Sequence, residues 1–283
     1  MISKSKIGLN RILFPTANLE EFFKLSSHMG LIKIELRNDL PGAGIIAPYS
    51  PEEVKGLSEK YNIKILTINA LQKFNLGAVL PEVLAELKEL IRLAVAIDCE
   101  AIVLVPTNDV NDKRDSDVIT QETVAALKAF GPLFEDNGIR GYVEPLGFAE
   151  CSLRSKVVAQ QAIQESGCKN YKIVHDTFHH YLGPDSDDTL KNDYDISYTG
   201  LVHVSGVESH IPSNQYRDDH RILITDGDRL KNLEQLELLI NLGYKGDISF
   251  EPFAKDVQEM EIETLKAAIN QSIDLITIYI GRS

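Results

Sequence analysis

The chain has 283 residues, 43% of them hydrophobic and 25% charged, which suits one large α/β core better than two small ones. A formal net charge of −13, with no basic stripe to offset it, argues against nucleic acid or anionic membrane surfaces as partners. Three cysteines without metal-type spacing, no signal-peptide pattern in Met1-Ile2-Ser3-Lys4 and no apolar run of membrane-spanning length together predict a cytoplasmic protein without a disulfide framework.

Taken in chain order, short β-rich runs alternate with longer stretches of helical period. The predicted strands are Ile7–Asn10, Leu31–Arg37, Lys64–Leu71, Ala101–Pro106, Arg140–Glu144, Lys172–Asp176, Gly200–Val204 and Asp247–Glu251. Each is followed by a helix. One such helix spans Leu80–Ile97, where Leu84, Leu87, Leu90, Ile91 and Leu93 approximate one apolar face among Glu and Lys. Gly30, Gly138, Gly167 and Gly243 stand where helices should stop, as left-handed C-caps. Strand–helix alternation repeated eight times predicts α/β architecture, a single (β/α)8 TIM barrel over residues 1–283. An open doubly wound sheet is the competing arrangement, but Gly8-Leu9-Asn10-Arg11 after the first strand lacks the Gly-rich phosphate loop such a sheet usually carries. The longest irregular stretch, Ser205–Arg229, is long enough to cover a substrate.

In a barrel of this kind the reactive groups sit where strands end, at the C-terminal mouth. Strand five ends on Glu144, strand six on Asp176, strand seven runs Leu201-Val202-His203, and strand eight ends on Glu251. Any one of these acids is as readily a helix cap or an ion-pair partner; four ligand-type residues on consecutive strands favour a metal. Three converging carboxylates repel one another, and a divalent cation with one imidazole turns that repulsion into attraction. Oxygen donors with one nitrogen suit Mn, Mg, Co or Zn without choosing between them.

Other polar residues near the mouth carry weaker signals. His179, three residues after Asp176, can meet a substrate oxygen or be a packed core histidine. Asn10 and Asn69 end strands and can bind hydroxyl groups or form turns, and Glu150 and Arg221 lie in loops where charges are usually solvated. Glu35 and Arg37 alternate with Ile34 and Leu36, and a buried ion pair or barrel-layer role is at least as good a reading as substrate contact. His175 precedes Asp176 and should point away from it by strand alternation, while His180, His210 and His220 have no assigned role.

With Ile34-Glu35-Leu36-Arg37, Leu66-Thr67-Ile68-Asn69-Ala70-Leu71, Asp176-Thr177-Phe178-His179 and Ser249-Phe250-Glu251-Pro252-Phe253, the chain resembles the xylose-isomerase-like barrel superfamily over nearly its whole length, and within it the 2-keto-myo-inositol (inosose) isomerases. That resemblance implies a metal held by Glu144, Asp176, His203 and Glu251, with Glu144 and Glu251 as general acid and base on opposite substrate faces. It implies substrate contacts from His179 and Arg221. Glu150 matches a substrate Glu of the ketose 3-epimerases. Those epimerases also carry an Arg where this chain has Ser209, and classical xylose isomerases use Trp contacts that a chain without Trp cannot make.

The expected activity is therefore a metal-dependent isomerase or epimerase that moves a carbonyl on a small-molecule sugar or polyol, such as inosose, through an enediolate. A metal-dependent dehydratase or lyase on a cyclic polyol or keto acid begins with the same proton abstraction and is the alternative. A phosphodiesterase of the endonuclease IV type would need more His ligands and a basic groove, and a non-catalytic binding barrel would not need the full ligand set. The sequence leaves open whether the chain forms a homo-oligomer.

Overall fold

Eight parallel strands close into a barrel in the order in which they occur along the chain, β1 pairing with β8. The computed structural model describes residues 3–281 except Pro41 and Ala43. The strands are β1 (Ile7–Asn10), β2 (Lys33–Arg37), β3 (Lys64–Leu71), β4 (Ala101–Leu104), β5 (Arg140–Val143), β6 (Tyr171–Asp176), β7 (Thr199–Val204) and β8 (Asp247–Phe250). Around them lie α1 (Leu19–His28), α2 (Pro51–Tyr61), α3 (Leu80–Ala96), α4 (Ser116–Asn137), α5 (Lys156–Ser166), α6 (Thr177–Leu182), α7 (Asp187–Asn192), α8 (Asn232–Asn241), α9 (Lys255–Gln258) and α10 (Ile262–Ile280). The barrel expected from the alternation of strands and helices is the fold found.

Sequence and structure part at a few ends, for legible reasons. Strands four, five and eight stop before Pro106, Glu144 and Glu251, each at or next to a proline: Pro106, Pro145 and Pro252 have no N–H with which to extend the ladder. The backbone N–H groups of Glu144 and Glu251 still donate to Leu104 and Val204, so both acids continue the sheet by one residue. The residue before a proline is biased toward extended backbone, which fixes the direction in which each carboxylate leaves the strand. After β6 the single expected helix is two short ones, α6 and α7, because Gly183-Pro184 interrupts the run.

In α3 the buried residues are Val83, Leu87, Leu90, Ile91 and Ala94, with Leu84 and Leu93 half-buried at the edges of the stripe. That is the expected face, rotated slightly. Gly138 and Gly167 close α4 and α5 with φ of 65° and 73°, a region in which any side chain would be strained. The main core lies between sheet and helices. A separate cluster that includes Leu66, Ala101, Val103, Tyr142, Val174 and Leu201 lies under the C-terminal mouth. By strand alternation Tyr142, Val174 and Leu201 face the same way as Glu144, Asp176 and His203, so this cluster fills the barrel interior and supports the polar residues above it. No helix among the described residues is long and apolar enough to cross a membrane.

Candidate metal and active site

Glu144, Asp176, His203 and Glu251 meet at the C-terminal mouth, all buried, with one ligand atom from each lying within 4.8 Å of the others. His203 is the hub. Its Nδ1 is 3.0 Å from Glu144 Oε1 and 3.2 Å from Glu251 Oε2, while its Nε2 faces the other way, 2.9 Å from Glu35 Oε2. Asp176 accepts the backbone N–H of His179 at 2.9 Å and so caps α6, leaving its other oxygen to Arg221 Nη2 at 2.6 Å. The helix-capping reading of this acid is therefore real, and it coexists with membership of the cluster.

The donor set fits a divalent cation. Three carboxylate oxygens and one imidazole nitrogen are the ligand types of Mn, Mg, Co and Zn. Metal–ligand bonds of about 2.0–2.2 Å allow ligand atoms up to roughly 4.4 Å apart, so the observed cluster needs only small side-chain adjustment. His203 would bind through Nδ1, the nitrogen facing Glu144 and Glu251.

Two arginines frame the acids. Arg37 donates through Nη1 to Glu251 Oε1 at 2.7 Å and forks onto Asp39 with two 2.7 Å bonds. Arg221 bridges Asp176 and Glu251, the latter at 3.0 Å, and reaches Ser205 Oγ at 3.0 Å. Both guanidinium groups lie against the Phe253 ring, 4.9 Å and 4.6 Å from its centroid.

These charges separate the two glutamates. Burial pushes the Glu251 carboxyl up, but His203, Arg221 and Arg37 hold it well below the ordinary carboxylate range. Glu144 is held above that range by burial and by the neighbouring Glu251 and Asp176, with His203 pulling the other way. Burial lowers the His203 imidazolium, and Glu251, Glu35 and Glu144 outweigh it, raising the ring well above its ordinary value.

A cavity of about 270 Å³ opens over the cluster, lined by Glu144, Glu251, Arg37, Arg221, Asn69 and His179 among others. Val105, Pro106, Leu146, Phe148 and Phe253 give it apolar walls. His179 stands between Phe148 and Phe178, 5.1 Å and 5.2 Å away ring to ring, and its buried Nδ1 has no protein partner. His179 itself lines the cavity, so its imidazole is within reach of a ligand hydroxyl. Arg221 comes, as the sequence suggests, from the irregular stretch after β7, which carries two short turns, Ser213–Gln215 and Asp218–His220, and a bridge from Gly206 to Ile222.

The remaining sequence candidates are placed less directly. Asn69 lines the cavity but spends its amide on Glu35 at 3.0 Å and Thr67 at 2.8 Å. Asn10 lies behind the cavity, bonded to Glu251 at 3.2 Å and Glu35 at 3.4 Å. Glu150 lines a neighbouring cavity with Arg154, Tyr181 and Arg217, on the far side of Phe148. Glu35 and Arg37 do not pair with each other: both point inward, Glu35 to His203 and Arg37 to Glu251 and Asp39. His175 turns away from Asp176, as strand alternation requires, and bonds Gln235 at 3.0 Å.

Sequence reasoning passed over Lys156, the first residue of α5, which is buried with Nζ 3.2 Å from His180 Nδ1. Burial lowers its ammonium to about 8, against the fields of Asp185, Asp176 and Glu144. Because the folded value lies below the ordinary 10.5, the unfolded chain keeps the proton to higher pH; the group costs stability fully below about pH 8 and nothing above pH 10.5. Replacing Lys156 with Met is expected to stabilise the fold at neutral pH by about 3 kcal/mol, with the gain vanishing as pH rises through that window. Urea unfolding of both proteins at neutral and high pH measures this, and a difference that does not change with pH would refute it.

A family model described as a xylose isomerase-like TIM barrel matches residues 23–277. The inosose isomerase of Halalkalibacterium halodurans is 25% identical over 266 residues, covering 92% of each chain. The crystal structure of a xylose isomerase domain containing protein from Salmonella typhimurium LT2 superposes with a TM-score of 0.91 at 37% identity, covering 98% of both chains. The structure of the IOLI protein with a bound zinc atom superposes with a TM-score of 0.87 at 21% identity, over 97% of this chain and 99% of that one.

Proposed function

The chain belongs to the xylose isomerase-like TIM barrel family, and from that premise we propose that it is a divalent-metal-dependent isomerase of a small cyclic polyol ketone of the inosose type. The observation that carries this reading is the buried cluster of Glu144, Asp176, His203 and Glu251 under a small cavity with polar floor and apolar walls. The resemblance to inosose isomerases across most of the chain supports the substrate class. The zinc in the IOLI structure supports a metal of the Mn, Mg, Co or Zn group for this fold.

A cation held by the four residues would polarise the substrate's carbonyl and neighbouring hydroxyl and stabilise the negative charge of an enediolate. The rest falls to the chain's own side chains. Glu144 and Glu251 reach the mouth from β5 and β8, non-neighbouring strands, with His203 Nδ1 between them. One takes the proton from the carbon next to the ketone and one returns a proton to the former carbonyl carbon, while the hydroxyl proton passes from the oxygen that becomes the ketone to the former carbonyl oxygen. His179, in the cavity wall, meets a ring hydroxyl. Arg37 and Arg221 hold the Glu251 carboxylate from both of its oxygens and so fix its aim. Phe253, Phe148 and Leu146 cover the C–H face of the ring and keep bulk water from the enediolate.

Inosose incubated with the enzyme in deuterated water tests the proposal. The expected product is an isomeric inosose with deuterium on carbon, because the carboxylate that delivers the proton has exchanged with solvent before substrate covers it. Loss of one water from the product would replace this reading with the dehydratase, and no turnover of any polyol ketone would remove it.

A further inference from the structure

Beneath the cluster, β2 carries a carboxylate that the proposed chemistry does not use. Glu35 is fully buried. Its Oε2 accepts Thr67 Oγ1–H at 2.6 Å and the Asn69 amide at 3.0 Å, and it faces His203 Nε2 at 2.9 Å. Asn10 approaches Oε1 at 3.4 Å. Groups from β1, β3 and β7 thus converge on one acid, although burying a carboxylate this deeply is costly unless its oxygens are satisfied.

We propose that Glu35 is the positioning residue of the metal-binding imidazole: by accepting the His203 Nε2–H it fixes the proton on that nitrogen and aims the Nδ1 lone pair at the cation.

The argument is geometric. An imidazole ligates through a nitrogen that carries no proton, so its other nitrogen must hold one, and the group facing that nitrogen selects the tautomer. His203 has two faces. Nδ1 looks at Glu144 and Glu251, and Nε2 looks at Glu35 alone among the described carboxylates. A carboxylate accepts this proton more strongly than a carbonyl, which raises the basicity of the ligating nitrogen and locks the ring plane. Thr67 and Asn69 share a face of β3 and both donate to the same oxygen, which satisfies the buried carboxylate. Residues 35 and 203 are joined only through the closed barrel, and the closure of the fold is what sets the ligand's orientation.

The inference rests on the metal reading of the site, and zinc binding to the wild-type protein checks that premise separately. In competition with a chromophoric chelator, Glu35→Gln and Glu35→Asp are expected to weaken zinc binding by about 10–100-fold. Thr67→Val, which removes another donor to Glu35 without touching His203, should change it by less than about threefold. Nitrogen-15 NMR of the zinc-loaded wild type reads the tautomer without any variant: the expected spectrum has the His203 proton on Nε2, exchanging slowly. Zinc affinity unchanged in a folded Glu35 variant, equal losses in Thr67→Val, or a proton on Nδ1 would overturn the role of Glu35. A wild-type protein that binds no divalent ion would overturn the metal reading and this inference with it.

Discussion

Replacing Glu144 with Gln is expected to lower kcat on the polyol ketone at least about a thousandfold while leaving the barrel folded. The change is isosteric, and the backbone N–H of residue 144, which ties it to Leu104, is untouched. What is lost is a proton carrier, worth about 10²–10⁴ in rate by itself, together with one negative ligand of the cation. Glu251→Gln should lose as much and also release Arg37 and Arg221, which would raise KM as well as lower kcat. Glu150→Gln is the control. Glu150 lines a separate cavity beyond Phe148, and its replacement should cost less than about tenfold. Steady-state kinetics with circular dichroism on the three variants settles the matter, and Glu144→Gln retaining a tenth of the wild-type rate would contradict the proposed acid–base role.

These contrasts show where the sequence is legible. Glu144 and Glu251 can be read because each ends a strand one residue before a proline, so position and direction are set locally. His179 can be placed for a related reason: Asp176 caps α6 and fixes the backbone of the residue three positions on. Glu150 has no such anchor. The chain beyond Leu146 bends so that Cys151 bridges Asn108, and the side chain is carried to the other side of Phe148.

Partners across the barrel are the part that does not show in the sequence. Alternation places Glu35 and Arg37 on the inner face of β2, but the spacing suggests a pair with each other. The structure gives Glu35 a partner on β7 and Arg37 a partner at the end of β8. Such pairings depend on the register of the closed barrel, which no local pattern encodes. Lys156 is similar: a lysine at a helix start reads as solvated, and only packing against His180 reveals it as buried.

Removing the proposed metal should have the largest effect of all. Four buried ligand-type residues converge over one cavity, and the proposed chemistry places a developing negative charge beside three carboxylates. Like charges at that distance oppose ionisation of the substrate, and without a cation the barrier rises by several kcal/mol, which is 10³-fold or more in rate by the usual conversion of about 1.4 kcal/mol per decade. His203→Ala should resemble chelated wild type, because it removes the nitrogen donor and leaves Glu35 buried without its partner.

The most direct test of the metal-dependent reading is therefore inosose turnover by the wild-type protein after exhaustive chelation, followed by titration with Mn, Mg, Co and Zn in turn. The account predicts that turnover disappears, that at least one ion restores it at one equivalent per chain, and that His203→Ala is not restored. Full activity persisting in protein shown to be free of divalent metal would contradict it.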